Sequence, residues 1–366
     1  MTEAASGGSL PPLRATVRIL SACDNACVFC GQDPAELAPT RDEISRALRL
    51  AFDRAREVTL TGGEPSLHPE LIAIVEEARA LGFSRVGIQT NARRPEQLRA
   101  LARAGLTDLH LSIHGGVAAA HDYHTGVEGS FALALATLSE ARAAGLPAVV
   151  TTVLTRSNAR GLTELAGVLS ARGASAWCIA VPRVRGRAAE LFDRVVPRLG
   201  IAMPFALHAV QAAIALRLPA LVRGAPSCLL GPFAKHAMLD EPRAYGEACV
   251  GCAARPACPG VEPAYLARFA GDELSNAPLV ARAPGAPELA RMFVGEGDLA
   301  PAPPLRTDGK SAPSRVALPM LGKVQPARAE VPRGVEKKTG AALREIFKEL
   351  FVQTETQTET QPKGTD

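Results

Sequence analysis

No run of about 18 consecutive apolar residues occurs in this 366-residue sequence, and that is the length a helix needs to cross a bilayer. A membrane span is therefore not expected. The first residues, MTEAASGGSLPPLRATVRIL, lack a basic region followed by an apolar core, so nothing reads as a secretory signal. No block of Lys and Arg runs along one element. The 41 basic and 37 acidic residues leave a formal charge of only +4, too little to argue for a nucleic-acid partner. These absences place the chain in the cytoplasm. In that reducing compartment the eight cysteines are read as metal ligands or catalytic thiols rather than disulfides.

What is present is a large apolar fraction, 47%, enough for a catalytic domain of roughly 200–250 residues and a smaller second unit. Strand patterns at 13–20, 57–61, 85–90, 108–113, 148–154 and 176–181 alternate with helix patterns at 42–54, 69–81, 95–104, 130–144 and 159–172. Strands alternating with helices of 10–15 residues predict parallel βαβ units. The expected fold class is α/β, a partial (β/α)6 barrel of the TIM type with a small Cys-rich C-terminal extension and a disordered tail. Residues 1–13 read as a disordered lead, 14–187 as the barrel, and 188–295 as a helical and Cys-rich region. A Pro/Ala-rich segment, 296–351, ends in an amphipathic helix carrying Leu343, Ile346, Phe347, Leu350 and Phe351. Residues 352–366 form the low-complexity tail.

The cysteines are clustered. Cys23, Cys27 and Cys30 follow the first strand with C-x3-C-x2-C spacing. A loop wound around one cubane presents three thiolates at about these separations and leaves the fourth iron open. A zinc site would need a fourth Cys or His nearby, and the loop has none. This run resembles the signature of the radical S-adenosylmethionine (SAM) superfamily, and the resemblance covers residues 14–187. It implies a [4Fe–4S] cluster whose open iron chelates SAM, reductive cleavage to a 5′-deoxyadenosyl radical, and hydrogen abstraction from a substrate. Phe29, just before the third Cys, would lie beside the adenine.

Further motifs fall at the C-terminal ends of successive strands, where the βα loops of such barrels converge. Gly62-Gly63-Glu64-Pro65 is similar to the family's GGE segment: the glycines admit close backbone approach, and Glu64 accepts from the amino group of SAM. Asn91 and Ser112 offer short polar groups for the ribose or the SAM carboxylate. His114, Arg156 and Cys178 are the candidate catalytic residues. His114, His121 and His124 invite a metal reading, but their spacings fit a turn and a helix start, and Asp122 and Thr125 are expected to stabilise that loop. The turn Pro182–Ala188 resembles a family segment after the sixth strand.

A second group comprises Cys249, Cys252 and Cys258, with Cys228 upstream. It resembles the SPASM and twitch extensions of radical SAM enzymes, which hold auxiliary [4Fe–4S] clusters. The further cysteines of a full SPASM domain are missing after Cys258, so one additional cluster is the most that fits, with structural zinc as the alternative.

The expected function is a radical SAM enzyme that modifies a peptide or protein, with small-molecule or cofactor biosynthesis as the alternative. A zinc-stabilised, non-catalytic binding protein is the rival from another class. A reducing partner such as flavodoxin or ferredoxin is expected, with a peptide or small molecule as substrate. Only 13 residues precede the first strand, which argues against a built-in leader-peptide domain at the N-terminus.

Overall fold

The computed structural model describes residues 14–32, 37–238 and 243–293, all within one compact unit, Met1–Leu305. The expected lead at 1–13, the amphipathic helix at 343–351 and the tail at 352–366 lie outside the described residues. Short apolar runs bounded by turns form strands β1 (Arg14–Leu20), β2 (Glu57–Gly62), β3 (Arg85–Thr90), β4 (Asp108–Ser112), β5 (Ala148–Val153) and β6 (Ala176–Ala180). Between and after them run helices α1 (Arg41–Arg54), α2 (Leu71–Leu81), α3 (Leu98–Ala104), α4 (Ala118–Thr125), α5 (Ser130–Ala143) and α6 (Leu162–Ala171). Helix α1 begins where a capping box predicts: Thr40 accepts from the Glu43 N–H while the Glu43 carboxylate reaches back to Thr40.

After β6 come α7 (Gly186–Glu190), α8 (Phe192–Val195), α9 (Leu199–Ala215), strand β7 (Ala220–Arg223), α10 (Ser227–Leu230), α11 (Pro263–Phe269) and α12 (Ala286–Ala290). The seven strands form one parallel sheet in chain order. Strand β7 corrects the expectation that the barrel stops at six strands, and it lies within the region 188–295 read as helical and Cys-rich. It is four residues long, follows the uncharged helix α9 after a turn and Pro219, and carries no period of its own. A parallel bridge between Val222 and Ala237 extends the sheet one step further.

Residues paired in register in a parallel sheet share a face, and the two faces here differ in chemistry. The face bearing Val17, Leu60, Ile88, Leu111, Val150 and Trp177 is apolar and packs with Ile44, Leu48, Ile74 and Leu165 of the surrounding helices. Each such aliphatic side chain contributes about 1.5–3 kcal/mol on burial. Trp177, the only tryptophan, donates from Nε1 to Thr152 Oγ1 (2.9 Å), which donates to the Ile113 carbonyl (2.6 Å), tying β6, β5 and the end of β4 together.

The opposite, inner face is polar over β1–β4. Arg14 donates to Thr59 Oγ1 (2.6 Å) and to Asp108 Oδ1 (2.6 Å), and Asp108 also contacts His110 Nε2 at 3.0 Å. Burial alone would raise the Asp108 carboxyl, but the His110 hydrogen bond and the Arg14 charge outweigh it and hold it well below the usual carboxylate range. Over β5–β7 the same face carries an apolar cluster, with Thr151 and Arg223 nearer the strand ends. There Val149, Cys178 and Leu221 are covered by Met238, Ala286 and Phe293. The inner space therefore has one hydrogen-bonding wall and one apolar wall.

Candidate functional site

The loop after β1 carries Cys23, Cys27 and Cys30, and every neighbouring βα loop grips its backbone. From the end of β2, Gly63 N–H donates to Leu20 O and Glu64 N–H to Ala22 O, both at 2.8 Å. Beyond β3, Asn91 Nδ2 donates to Asp24 Oδ1 (2.7 Å), Arg94 pairs with Asp24 Oδ2 (2.9 Å), and Arg93 donates to the Asp24 carbonyl (2.8 Å). Partial burial alone would raise the Asp24 carboxyl, yet these hydrogen bonds and the two arginine charges keep it below its ordinary value. At the C-terminal end of α4, the carbonyls of Thr125 and His124 accept from Ala26 N–H (2.7 Å) and Val28 N–H (3.1 Å). From the loop after β6, Arg187 donates its N–H to Cys30 O (2.9 Å) and its guanidinium to Cys27 O (2.7 Å).

None of these contacts uses a cysteine side chain. The thiols are left exposed or half-buried. Burial pushes the Cys27 thiol up to about 12, with the neighbouring Cys30 and Cys23 thiols adding to the effect. Burial raises Cys23 as well. Three thiols this close resist joint ionisation unless a cation joins them. Among the described residues, no three His, Cys, Asp or Glu side chains converge as a single metal ion requires. The thiolates of a cubane bind three separate irons and need no such point.

Gly62 and Gly63 are required by space. A Cβ on Gly62, whose φ is +150°, would stand 2.0 Å from Leu20 O, and one on Gly63 would stand 2.1 Å from Ala22 O. The strand end and the cysteine loop cannot approach this closely with any other residue. Gly63→Ala is therefore expected to pull the two apart, with a cost of about 1–3 kcal/mol from overpacking and a marked fall in iron uptake. Urea denaturation and iron analysis of the purified variant check both.

Glu64 is fully buried. Its Oε1 accepts from Ser66 N–H (3.0 Å) and Thr90 Oγ1 (2.6 Å), and its Oε2 from Asn91 N–H (2.6 Å). All three donors are neutral, and among the described residues no Arg or Lys pairs with it. Asn91, expected to reach a cofactor, turns its side chain to Asp24 instead. Ser112 lies half-buried on the inner face at the end of β4, in register with Thr151.

His114 is buried and meets the Phe29 ring edge-on, with centroids 4.5 Å apart. Val153 N–H donates to its Nδ1 (3.3 Å), which leaves the proton of the neutral ring on Nε2. His121 accepts from His114 N–H (3.1 Å) through Nδ1. His124 donates to Ala120 O and accepts from Thr155 Oγ1 (2.7 Å). Burial lowers all three below the ordinary histidine value, His121 to about 4. They are neutral packing groups behind Phe29. Asp122 fastens the loop that follows by accepting from Gly129 N–H (2.7 Å), Phe131 N–H (2.8 Å) and Ser130 Oγ (2.8 Å).

A histidine held neutral below its unfolded value adds stability at neutral pH, and acid removes it, because the unfolded chain takes up protons first. The urea midpoint is expected to fall between pH 7 and pH 5. His121→Asn, whose Oδ1 keeps the acceptor toward His114 N–H, should flatten that fall. An unchanged pH profile in the variant would count against the assignment.

Two catalytic candidates are not brought to the site. Arg156 is exposed and donates to the carbonyl of Asp193 on α8. The inward residue of that loop is Asn158, which sequence reasoning passed over. It accepts from Thr155 N–H (2.8 Å) and donates to His114 O (3.0 Å) and Val153 O (2.8 Å), locking the ends of β4 and β5 together. Cys178 does face inward, but Met238 Sδ covers it at 3.5 Å inside the apolar wall. It is a packing thiol here.

The other four cysteines come together. Cys228, Cys249, Cys252 and Cys258 line one small pocket, with Tyr245, Arg255 and Ser275 at its walls. Backbone N–H groups point at the sulfurs: Ser227 and Gly260 at Cys258 Sγ (3.3 and 3.4 Å), and Ala277 at Cys252 Sγ (3.4 Å). Hydrogen bonds to the sulfurs tune a bound centre. Burial raises the Cys228 thiol, and the Cys258 and Cys249 thiols add to it.

Residues 17–165 match the Radical SAM superfamily. The PqqA peptide cyclase of Methylocella silvestris is 28% identical over 268 residues, covering 69% of this chain and 71% of that protein. The mycofactocin maturase MftC of Mycobacterium ulcerans is 30% identical over 203 residues, 51% of this chain and 52% of the relative. Among solved structures, Streptococcus suis SuiB bound to S-adenosylmethionine superposes with a TM-score of 0.50 at 19% identity, over 60% of this chain and 52% of that one. At that identity the likeness speaks for the fold alone. The described residues include no helix long and apolar enough to cross a membrane.

Proposed function

We propose that the chain, whose residues 17–165 match the Radical SAM superfamily, is a radical SAM enzyme acting on a peptide or protein, with a second metal centre at its four later cysteines. The observation that carries the chemistry is the cysteine loop, gripped on four sides by neighbouring elements while its three thiols meet only Asn25 of their own loop.

The residues fit the group. Three thiols at this spacing leave one iron of a [4Fe–4S] cluster free for a chelating ligand. Glu64 is a buried carboxylate with neutral donors only, and a buried charge of this kind calls for a cation. The amino group of SAM is such a cation. When bound, the cluster and SAM supply a 5′-deoxyadenosyl radical that takes a hydrogen atom from the substrate.

This chain's own residues position and shield. Cys23, Cys27 and Cys30 hold the cluster, Glu64 orients the amino group, and Gly62 and Gly63 let the strand end close on the loop. Phe29, backed by the neutral His114, offers an aromatic surface for the adenine. The α12 region closes the inner face on one side, which limits water there. Ser112 and Thr151 line the polar side of the space left for substrate. The peptide reading draws on relatives named as a peptide cyclase and a mycofactocin maturase. The four-cysteine pocket supports the second centre; its side chains do not converge on one point as a single zinc ion requires, so a cluster, whose thiolates bind separate irons, is the occupant favoured.

Anaerobic reconstitution of the full chain with iron and sulfide tests the reading. A brown protein with about eight irons that releases 5′-deoxyadenosine when reduced with SAM supports it. A colourless protein that binds only zinc and leaves SAM intact refutes it.

A further inference from the structure

The two cysteine groups are joined by one short strut whose centre is a buried carboxylate. Glu262 stands four residues after Cys258 and is only 11% exposed. Its Oε1 accepts from Arg183 Nη1 at 3.0 Å and lies 3.4 Å from Arg243 Nε. Arg183 belongs to the loop after β6, and four residues on, Arg187 binds the carbonyls of Cys27 and Cys30. Gly186, between them, sits so close that a Cβ would stand 2.8 Å from Cys30 O. On the other side, Arg243 opens the segment that carries the later cysteines. Its guanidinium donates to Gly224 O (3.1 Å) just after β7, and its N–H to Pro259 O (2.9 Å). Ala244 and Val261 then form an antiparallel bridge, and Tyr245 donates to Cys258 O (2.8 Å).

We propose that Glu262 is a positioning residue that holds the four-cysteine group in fixed register with the three-cysteine loop, acting through Arg183 and the Pro182–Arg187 strut. The inference rests on the two-centre reading above. A buried ion pair of this kind is a poor source of net stability, but loss of its arginines would leave the Glu262 carboxylate buried without a partner, a costly state that disfavours other registers. The carboxylate draws two arginines from different parts of the chain onto one oxygen. Each arginine is anchored within a few residues of a cysteine group. Motion of either group relative to the other would have to break that contact. Radical transfer and electron transfer depend on such fixed separation, so the ion pair sits where loss of register would matter most.

Backbone hydrogen exchange of the reconstituted full chain tests the strut. Glu262→Gln should speed exchange by about tenfold or more both at Arg187 and at Ala244 and Val261, with β2 unchanged. Arg183→Gln, which leaves the Arg243 contact with Glu262 in place, should give the same pattern at Arg187. It also carries the comparison if the Glu262 variant does not fold. Glu262→Asp should restore part of the protection, and the exposed Glu247→Gln should change nothing. In paramagnetic resonance, the magnetic interaction between the two reduced centres should alter in Glu262→Gln and not in Glu247→Gln. Faster exchange confined to 243–262, with Arg187 as protected as before, overturns the proposal. Iron content separates the two readings. A wild-type chain with about four irons and one zinc overturns the second cluster, and the exchange result still decides the strut.

Discussion

Replacing Cys23, Cys27 and Cys30 together by alanine is expected to remove about four irons per chain and to abolish 5′-deoxyadenosine formation from SAM. The effect should be chemical rather than a collapse of the fold. Apart from a long contact of Asn25 N–H with Cys23 Sγ (3.5 Å) and the Asn25 side chain beside Cys27, the contacts that shape the loop come from backbone or from residues other than these cysteines. Asp24 is held by Asn91, Arg93 and Arg94, Ala26 and Val28 by the α4 carbonyls, and the carbonyls of Cys27 and Cys30 by Arg187. A melting temperature close to that of the metal-free wild type is the expected companion result. The iron that remains should belong to the Cys228, Cys249, Cys252 and Cys258 pocket. Removing those four should loosen their own region more, because three backbone N–H groups there bond directly to sulfur at 3.3–3.4 Å, against a single longer contact, 3.5 Å, in the first loop. Iron content unchanged in the triple variant would mean that the loop is not the cluster site.

The barrel was legible because buried parallel strands and their covering helices each carry a distinct period, and βα alternation admits few topologies. Strands β1 to β6 fall within a residue or two of the expected limits. Strand β7 escaped because four residues behind an uncharged helix have too little pattern to show. The two cysteine groups, proposed as metal ligands, stood out for another reason. Their chemistry depends on residue type and spacing within a single loop, and both are local. The long-range ion pairs of the fold are not. Arg14 with Asp108 is a pair 94 residues apart, and Glu262 with Arg183 spans 79. Nothing in either neighbourhood announces the other. Arg156 drew notice through its charge, whereas Asn158 two residues later makes the inward contacts. Side-chain direction at a strand end depends on the turn that follows, and residue type alone does not encode it.

Glu64→Gln is expected to weaken SAM binding by about 30-fold or more, the effect of losing one charge from a buried ionic contact. The two side chains have nearly the same shape, so packing is kept. Stability should fall slightly too. In the wild type all three neighbours donate to the carboxylate: Ser66 N–H, Thr90 Oγ1 and Asn91 N–H. Whichever way the amide is turned, its NH2 faces at least one of those donors, which costs about 1–3 kcal/mol. That structural component has its own control. Thr90→Val removes one donor while leaving the charge of Glu64 in place, so it should lower stability by a similar amount and leave SAM affinity within a few-fold of wild type. Equilibrium dialysis of the reconstituted proteins against SAM, with urea denaturation alongside, separates the two effects. If Glu64→Gln binds SAM as tightly as the wild type, the carboxylate is a structural cap for the Pro65–Leu67 turn and the amino group of SAM is held elsewhere. If both variants lose affinity together, Glu64 acts by ordering the ends of β2 and β3 rather than by its charge.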